Sequence, residues 1–150
     1  MTIRVRSTLI AVILALAFTQ SGVRLANAQP VEPRFQTALL NLYYARWMLT
    51  HTSAVRANPY SYHVALNETY TAIRDLNGII NVPSYRYAVP QFVPAGGPRL
   101  HAALGFLQNA ANNLGAPSAV PRWEVFRQGS LTHVNAAIAN ARNIIVACRC

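Results

Sequence analysis

The chain repeats itself at an offset of 65 residues, which restricts it to folds that two like halves can build together. Pro33-Arg34 returns as Pro98-Arg99, and Ala38, Leu39, Leu42, Ala45 and Leu49 meet Ala103, Leu104, Leu107, Ala110 and Leu114. The register holds in Leu66, Ala72, Ile73, Ile79 and Ile80 against Leu131, Ala137, Ile138, Ile144 and Ile145. Twelve of the 32 positions compared over 33–49 and 66–80 are identical to their counterparts. Most matched residues are apolar and recur at steps of three and four, the period of one helix face. The repeat unit therefore reads as a pair of helices present twice.

Four helices follow from this pattern. The first is expected from about Pro33 to His51, with Phe35, Ala38, Leu39, Leu42, Ala45, Trp47 and Leu49 on its apolar side. The second runs from about Tyr60 to Val82 on Leu66, Thr69, Ile73, Leu76 and Ile80. A connection rich in proline and aromatic residues, 83–97, cannot continue it. The third opens at Pro98 and stops before Gly115, a suitable cap; the fourth runs from Pro121 towards Ala147. The fold class expected is all-α: an antiparallel up-down-up-down four-helix bundle of two hairpin repeats, about 33–82 and 98–147, related by a pseudo-twofold axis along the bundle. Gly105, among alanines, is a candidate for a close helix contact. Helix four is expected to overshoot the start of helix three by roughly ten residues at 1.5 Å each, with Tyr85, Tyr87 and Phe92 closing over Ile79, Ile80, Ile144 and Ile145.

The first 28 residues are not counted in that fold. Arg4 and Arg6 precede the unbroken apolar run Leu9 to Phe18, and Ala26-Asn27-Ala28 supplies small residues where a signal peptidase reads. This is the pattern of an export leader. Its apolar run is too short to cross a bilayer, so export to the periplasm or medium is expected, with no transmembrane segment in the mature chain Gln29–Cys150. Removing Arg4, Arg6 and Arg24 leaves ten arginines against Glu32, Glu68, Asp75 and Glu124, a net charge of +6 without a single lysine. The arginines are scattered singly along the chain and no nucleic-acid motif accompanies them, so nucleic acid is not an expected partner.

Catalytic chemistry finds little footing. The four acids form no close pair in sequence, and there is no phosphate loop, nucleophile elbow or His-Glu-x-x-His. Met48 with His51 or His63 gives the elements of haem ligation, but no Cys-x-x-Cys-His attachment motif is present. In an antiparallel hairpin turning between about 114 and 122, His101 and His133 stand level. The repeat places Gln36 at the His101 position and Glu68 at the His133 position. A layer of His101, His133, Glu68 and Gln36 is of a kind that holds divalent copper, zinc or nickel. Cys148 and Cys150 leave open a disulfide between themselves, intermolecular pairing, free thiols or a soft-metal clip. The function expected is non-catalytic: a structural or partner-binding bundle, engaging an unknown protein through its surface or its proline-rich loop. Metal binding at the histidine layer is the alternative.

The run Phe35-x-x-Ala-Leu-x-x-Leu-x-x-Ala-Arg-Trp-Met-Leu, with Leu100-His101-x-Ala-Leu and His133-Val-x-Ala-Ala-Ile, resembles a group of small exported bacterial helical-bundle proteins of unassigned function. It is more distantly similar to the small metal-binding proteins, histidine-rich four-helix bundles of the bacterial periplasm. That resemblance implies a four-helix bundle and metal ligation at His101 and His133, while Gln36 stands where such relatives carry histidine.

Overall fold

The computed structural model describes residues 31–93 and 98–150; the leader expected over residues 1–28 lies outside them. Four α-helices make up the described chain: α1 (Pro33–Thr50), α2 (Pro59–Asn77), α3 (Pro98–Leu114) and α4 (Pro121–Cys148). Each begins on a proline, whose fixed φ and missing N–H cost nothing in a first turn. At α2 the Asn58 side chain also accepts from the Ser61 amide at 3.0 Å, a side-chain N-cap. Short 3₁₀ turns occupy Ala54–Arg56 and Pro83–Tyr87.

Helix α2 ends at Asn77, five residues short of the expected Val82. Gly78 is a weak helix former, and Pro83 drives Val82 out of the helical region. The last turn tightens, with Gly78 N donating to Asp75 O and Ile79 N to Leu76 O, both at 2.9 Å.

The faces that meet are α1 with α2 and α3, and α4 with α2 and α3. Their directions follow from named contacts. Arg34 at the start of α1 donates to the carbonyls of Ala116 and Pro117 just past α3, at 2.5 and 2.7 Å. Arg99 at the start of α3 donates to the His51 carbonyl just past α1, at 2.6 Å. Helices α1 and α3 are therefore antiparallel. Ser130 Oγ bonds Ala72 O at 2.8 Å and His133 bonds Glu68 at 2.6 Å, so α2 and α4 are antiparallel too. With each hairpin itself antiparallel, α2 and α3 run in the same sense. The order is up-down-down-up, not the expected up-down-up-down, and the connection after α2 leads back along the bundle over its described residues, 78–93. The like halves are consequently related about an axis across the helices rather than along them.

The Pro-Arg dipeptide that opens both repeats has one job in each. His51 and Ala116 are repeat counterparts, so the two arginines make the same contact from either half. A guanidinium on carbonyls beyond a helix end satisfies unpaired acceptors and opposes the negative pole of the helix.

The core is built from the repeated stripe. Leu39, Leu42, Leu49, Leu107, Leu114, Val134 and Ile144 are fully buried together with Phe35, Met48, Leu76 and Leu100. Small residues at matched positions, Ala38/Ala103, Ala45/Ala110 and Ala72/Ala137, are buried as well and allow the helices to approach. Trp47 packs against the core only half-buried, lying flat on the His51 ring at 4.0 Å between centroids, while Met48, one residue on, is fully buried. Two expectations fail, the aromatic lid and the close contact at Gly105. Tyr87 and Phe92 are 86% and 80% exposed and cover nothing; of the expected lid only Tyr85 packs against the core. A Cβ on Gly105 would meet nothing within 4 Å, so Gly105 marks no close contact.

Two carboxylates lock the end of the bundle where α1 starts and α3 turns into α4. Glu32 accepts from Ser118 Oγ at 2.7 Å and Arg34 Nε at 2.6 Å. Glu124 accepts from Arg127, the Ser118 amide and Gln128. Arg127, 5% exposed, also donates to the Leu114 carbonyl that ends α3. Hydrogen bonds from Arg127 and the Ser118 amide lower the Glu124 pKa to about 2, and the Glu124 carboxylate raises that of Arg127. Chiefly the Ser118 hydroxyl, then Arg34, lowers that of Glu32. Cys148 and Cys150 are disulfide-bonded to each other across Arg149, which adopts φ 54°.

Candidate anion-binding cleft

The expected four-residue metal layer does not assemble. Glu68 and His133 meet, His133 Nδ1 donating to Glu68 Oε2 at 2.6 Å, with Asp75 Oδ2 3.9 Å from the other ring nitrogen. His101 is elsewhere: its Nε2 donates to the Cys150 carbonyl at 2.8 Å, beyond the far end of α4. Gln36 is exposed in the first turns of α1, beside the end of α3 and so at the opposite pole from His101. The reversed sense of α3 relative to α1 separates the two. Glu68 and Asp75 address opposite nitrogens of one ring, so an ion on either nitrogen gains His133 and one carboxylate. Among the described residues no group of three or more His, Cys, Asp or Glu side chains is arranged to hold a metal ion. Nor do the haem elements converge: Met48 is buried in the core, His51 is stacked under Trp47, and His63 is exposed.

A different constellation does come together. Tyr43, Arg46, Tyr70, Ile73, Arg74, Asn77, Arg86 and Tyr87 line a cleft of about 450 Å³. It is assembled from three segments, each giving one tyrosine and one arginine. Tyr43 and Arg46 are one turn apart on α1. Tyr70 and Arg74 are one turn apart on α2, in a stripe with Ile73 and Asn77, because residues three and four apart share a helix face. Arg86 and Tyr87 come from the 3₁₀ turn at the start of the returning segment, which packs on α1.

The cleft is positive throughout, with no carboxylate in its lining. The Arg46 guanidinium lies 5.5 Å from the Tyr43 ring centre and 5.0 Å from that of Tyr70. Stacking on ring faces occupies the π surface of a guanidinium and leaves its in-plane N–H donors free. Arg74 has Asp75 3.9 Å from its Nε, and its side chain is 78% exposed. Three like charges facing one space repel, and an anion placed among them relieves that repulsion.

No charge run marks this cleft in the sequence, because Arg46, Arg74 and Arg86 are far apart along the chain. The available signal was the recurrence of a Tyr/Arg pair at helix-neighbour spacing on α1 and α2 and again as adjacent residues in the connection. No family model, no curated protein and no solved structure matches the chain.

Proposed function

We propose that this protein is a non-catalytic binding protein whose recognition site is the arginine–tyrosine cleft and whose ligand or partner is anionic. The observation that carries the reading is the convergence of Arg46, Arg74 and Arg86 on one cleft whose lining contains no acid. Guanidinium groups are suited to carboxylate and phosphate because their paired donors match two oxygens. The lining has no histidine, cysteine or carboxylate to serve as base or nucleophile at neutral pH. Of the four acids of the mature chain, Glu32 and Glu124 are engaged in the end lock and Glu68 on His133, while Asp75 stands between His133 and Arg74, 3.9 Å from each, outside the cleft lining. The protein acts after export and removal of residues 1–28, a step that N-terminal sequencing of the secreted chain, reading Gln29-Pro30-Val31, would verify.

The test is a binding screen of the mature protein against inorganic and organic anions, by calorimetry at low ionic strength. At least one should bind saturably, weaken as salt rises, and lose at least tenfold in affinity when Arg46, Arg74 and Arg86 are all replaced by Gln. A screen in which no anion binds, or in which the triple variant binds as well as the parent, overturns the reading.

A further inference from the structure

The cleft is much larger than its charge requires. Sites for small organic ligands begin at about 300 Å³, and at about 450 Å³ this one has room for an organic body beside an anionic group. Half of its lining is not charged or polar in the manner of an inorganic anion site: Tyr43, Tyr70 and Tyr87 are aromatic and Ile73 is aliphatic. The two outer rings are open to solvent, Tyr87 at 86% and Tyr70 at 47%, whereas Tyr43 is 4% exposed and holds the floor. Exposed aromatic faces gain most from a partner that lies flat on them. Arg46, stacked on Tyr43 and Tyr70, presents donors beside that aromatic surface.

We infer that the ligand of this cleft is a small aromatic acid, a flat ring carrying a carboxylate or a phosphate. The inference rests on the anion-binding reading and adds the ring to it. Arg46, Arg74 and Arg86 take the acid group, while Tyr70, Tyr87 and Ile73 take the ring, displacing water from apolar surface as it binds. A bare anion satisfies the arginines and leaves the aromatic surface wet; a neutral ring leaves the arginines unneutralised. Only a ligand with both parts uses the whole lining.

Matched pairs of probes separate the two parts: phenyl phosphate against inorganic phosphate, and benzoate against acetate. Each ring-bearing probe should bind at least tenfold tighter than its bare partner. Tyr87→Ala, at a side chain too exposed to support the fold, should remove most of that difference. Arg86→Gln should weaken both members of a pair. If the members of each pair bind equally, the ring is no part of recognition and this inference falls while anion binding stands. If the ring-bearing probes bind tightly and are indifferent to Arg86→Gln and to salt, the anion-binding reading falls with it. Selective binding that survives both Tyr87→Ala and Tyr70→Leu places the site elsewhere and overturns the inference.

Discussion

The Arg46 guanidinium carbon lies 5.0 Å from the centre of the Tyr70 ring, a contact that ties α1 to α2 at the mouth of the cleft. Cation–π contacts at a site this exposed contribute about 0.5–1 kcal/mol. Arg46→Met should therefore lower stability by no more than about 1 kcal/mol while weakening anion binding at least tenfold. Urea unfolding and calorimetry on the same preparation check the two effects separately. A loss of binding that only tracks unfolding would mean that Arg46 serves the fold alone.

Arg34 and Arg99 share the contact to the carbonyl just past the helix end of the opposite hairpin, and Arg34 adds the Pro117 carbonyl and Glu32. Each bonds a carbonyl of the opposite hairpin, and hydrogen bonds from a charged donor contribute about 1.5–3 kcal/mol before partial solvent screening reduces them. Replacing either by Met should cost about 1–2 kcal/mol in chemical denaturation, and the double variant close to the sum, because the two sites lie at opposite poles. Arg34→Met should be the costlier of the two, since it also releases Glu32 and the Pro117 carbonyl; an Arg99→Met variant as stable as the parent would show that the shared carbonyl contact contributes nothing.

Gly105 offers a stabilising change. Its α-carbon faces open space in the interior of α3, so Gly105→Ala gains helix propensity with no collision, up to about 1 kcal/mol. Gly78 is the contrast: an added Cβ would stand 2.7 Å from the Phe126 ring. Thermal melting should rank Gly105→Ala above the parent and Gly78→Ala below Gly105→Ala.

Acid should loosen the end of the bundle where Glu32 and Glu124 act. Both pKa values are depressed in the folded state, that of Glu124 from 4.5 to about 2. Their contribution is fully present above the unfolded pKa and is lost as pH falls through the folded one. The melting temperature should hold down to about pH 4.5 and fall between about 4.5 and 2. Glu124→Gln should be less stable at neutral pH and have a shallower fall over that window. A parent melting curve that is flat from pH 4.5 to 2 contradicts the assignment.

His101 and His133 should behave independently towards copper, zinc and nickel. In a chain with Cys148 and Cys150 replaced by Ser, so that reduction of their disulfide cannot release thiol ligands, His101→Ala should leave any affinity unchanged. His133→Ala should weaken any site that uses Glu68. Calorimetry in which both histidines contribute to one tight stoichiometric site would restore the four-residue layer.

How much was legible in the sequence depended on whether the signal was local. The starts of α1, α3 and α4 were readable at Pro33, Pro98 and Pro121, and the core stripe from Leu39, Leu42, Leu107 and Val134. The early end of α2 was blurred because Ile79, Ile80 and Val82 continue an apolar pattern, although Gly78 and Pro83 stop the helix. The sense of α3 relative to α2 was not readable, since a connection as long as 78–97 can turn back or return along the bundle with the same residues. That ambiguity misplaced Gln36 relative to His101; His101 misses His133 because the start of α3 reaches the end of α4, where it bonds the Cys150 carbonyl, and Glu68 and His133 meet because repeat counterparts at the axis between the halves touch whichever way their helices run. The cleft was invisible for the same reason: Arg86 and Tyr87 reach Arg46 and Arg74 only because of the path the returning segment takes.

Glu68 and His133 stand 65 positions apart, the offset of the repeat, and touch each other. A residue that contacts its own counterpart sits on the axis that relates the halves. In a dimer of one such hairpin, that position would confront itself with an identical side chain: acid on acid, or imidazole on imidazole. Joining both hairpins in one chain frees the two copies to differ there. A self-facing position has become an acid facing a base, a complementarity that no symmetric pair of identical subunits can encode.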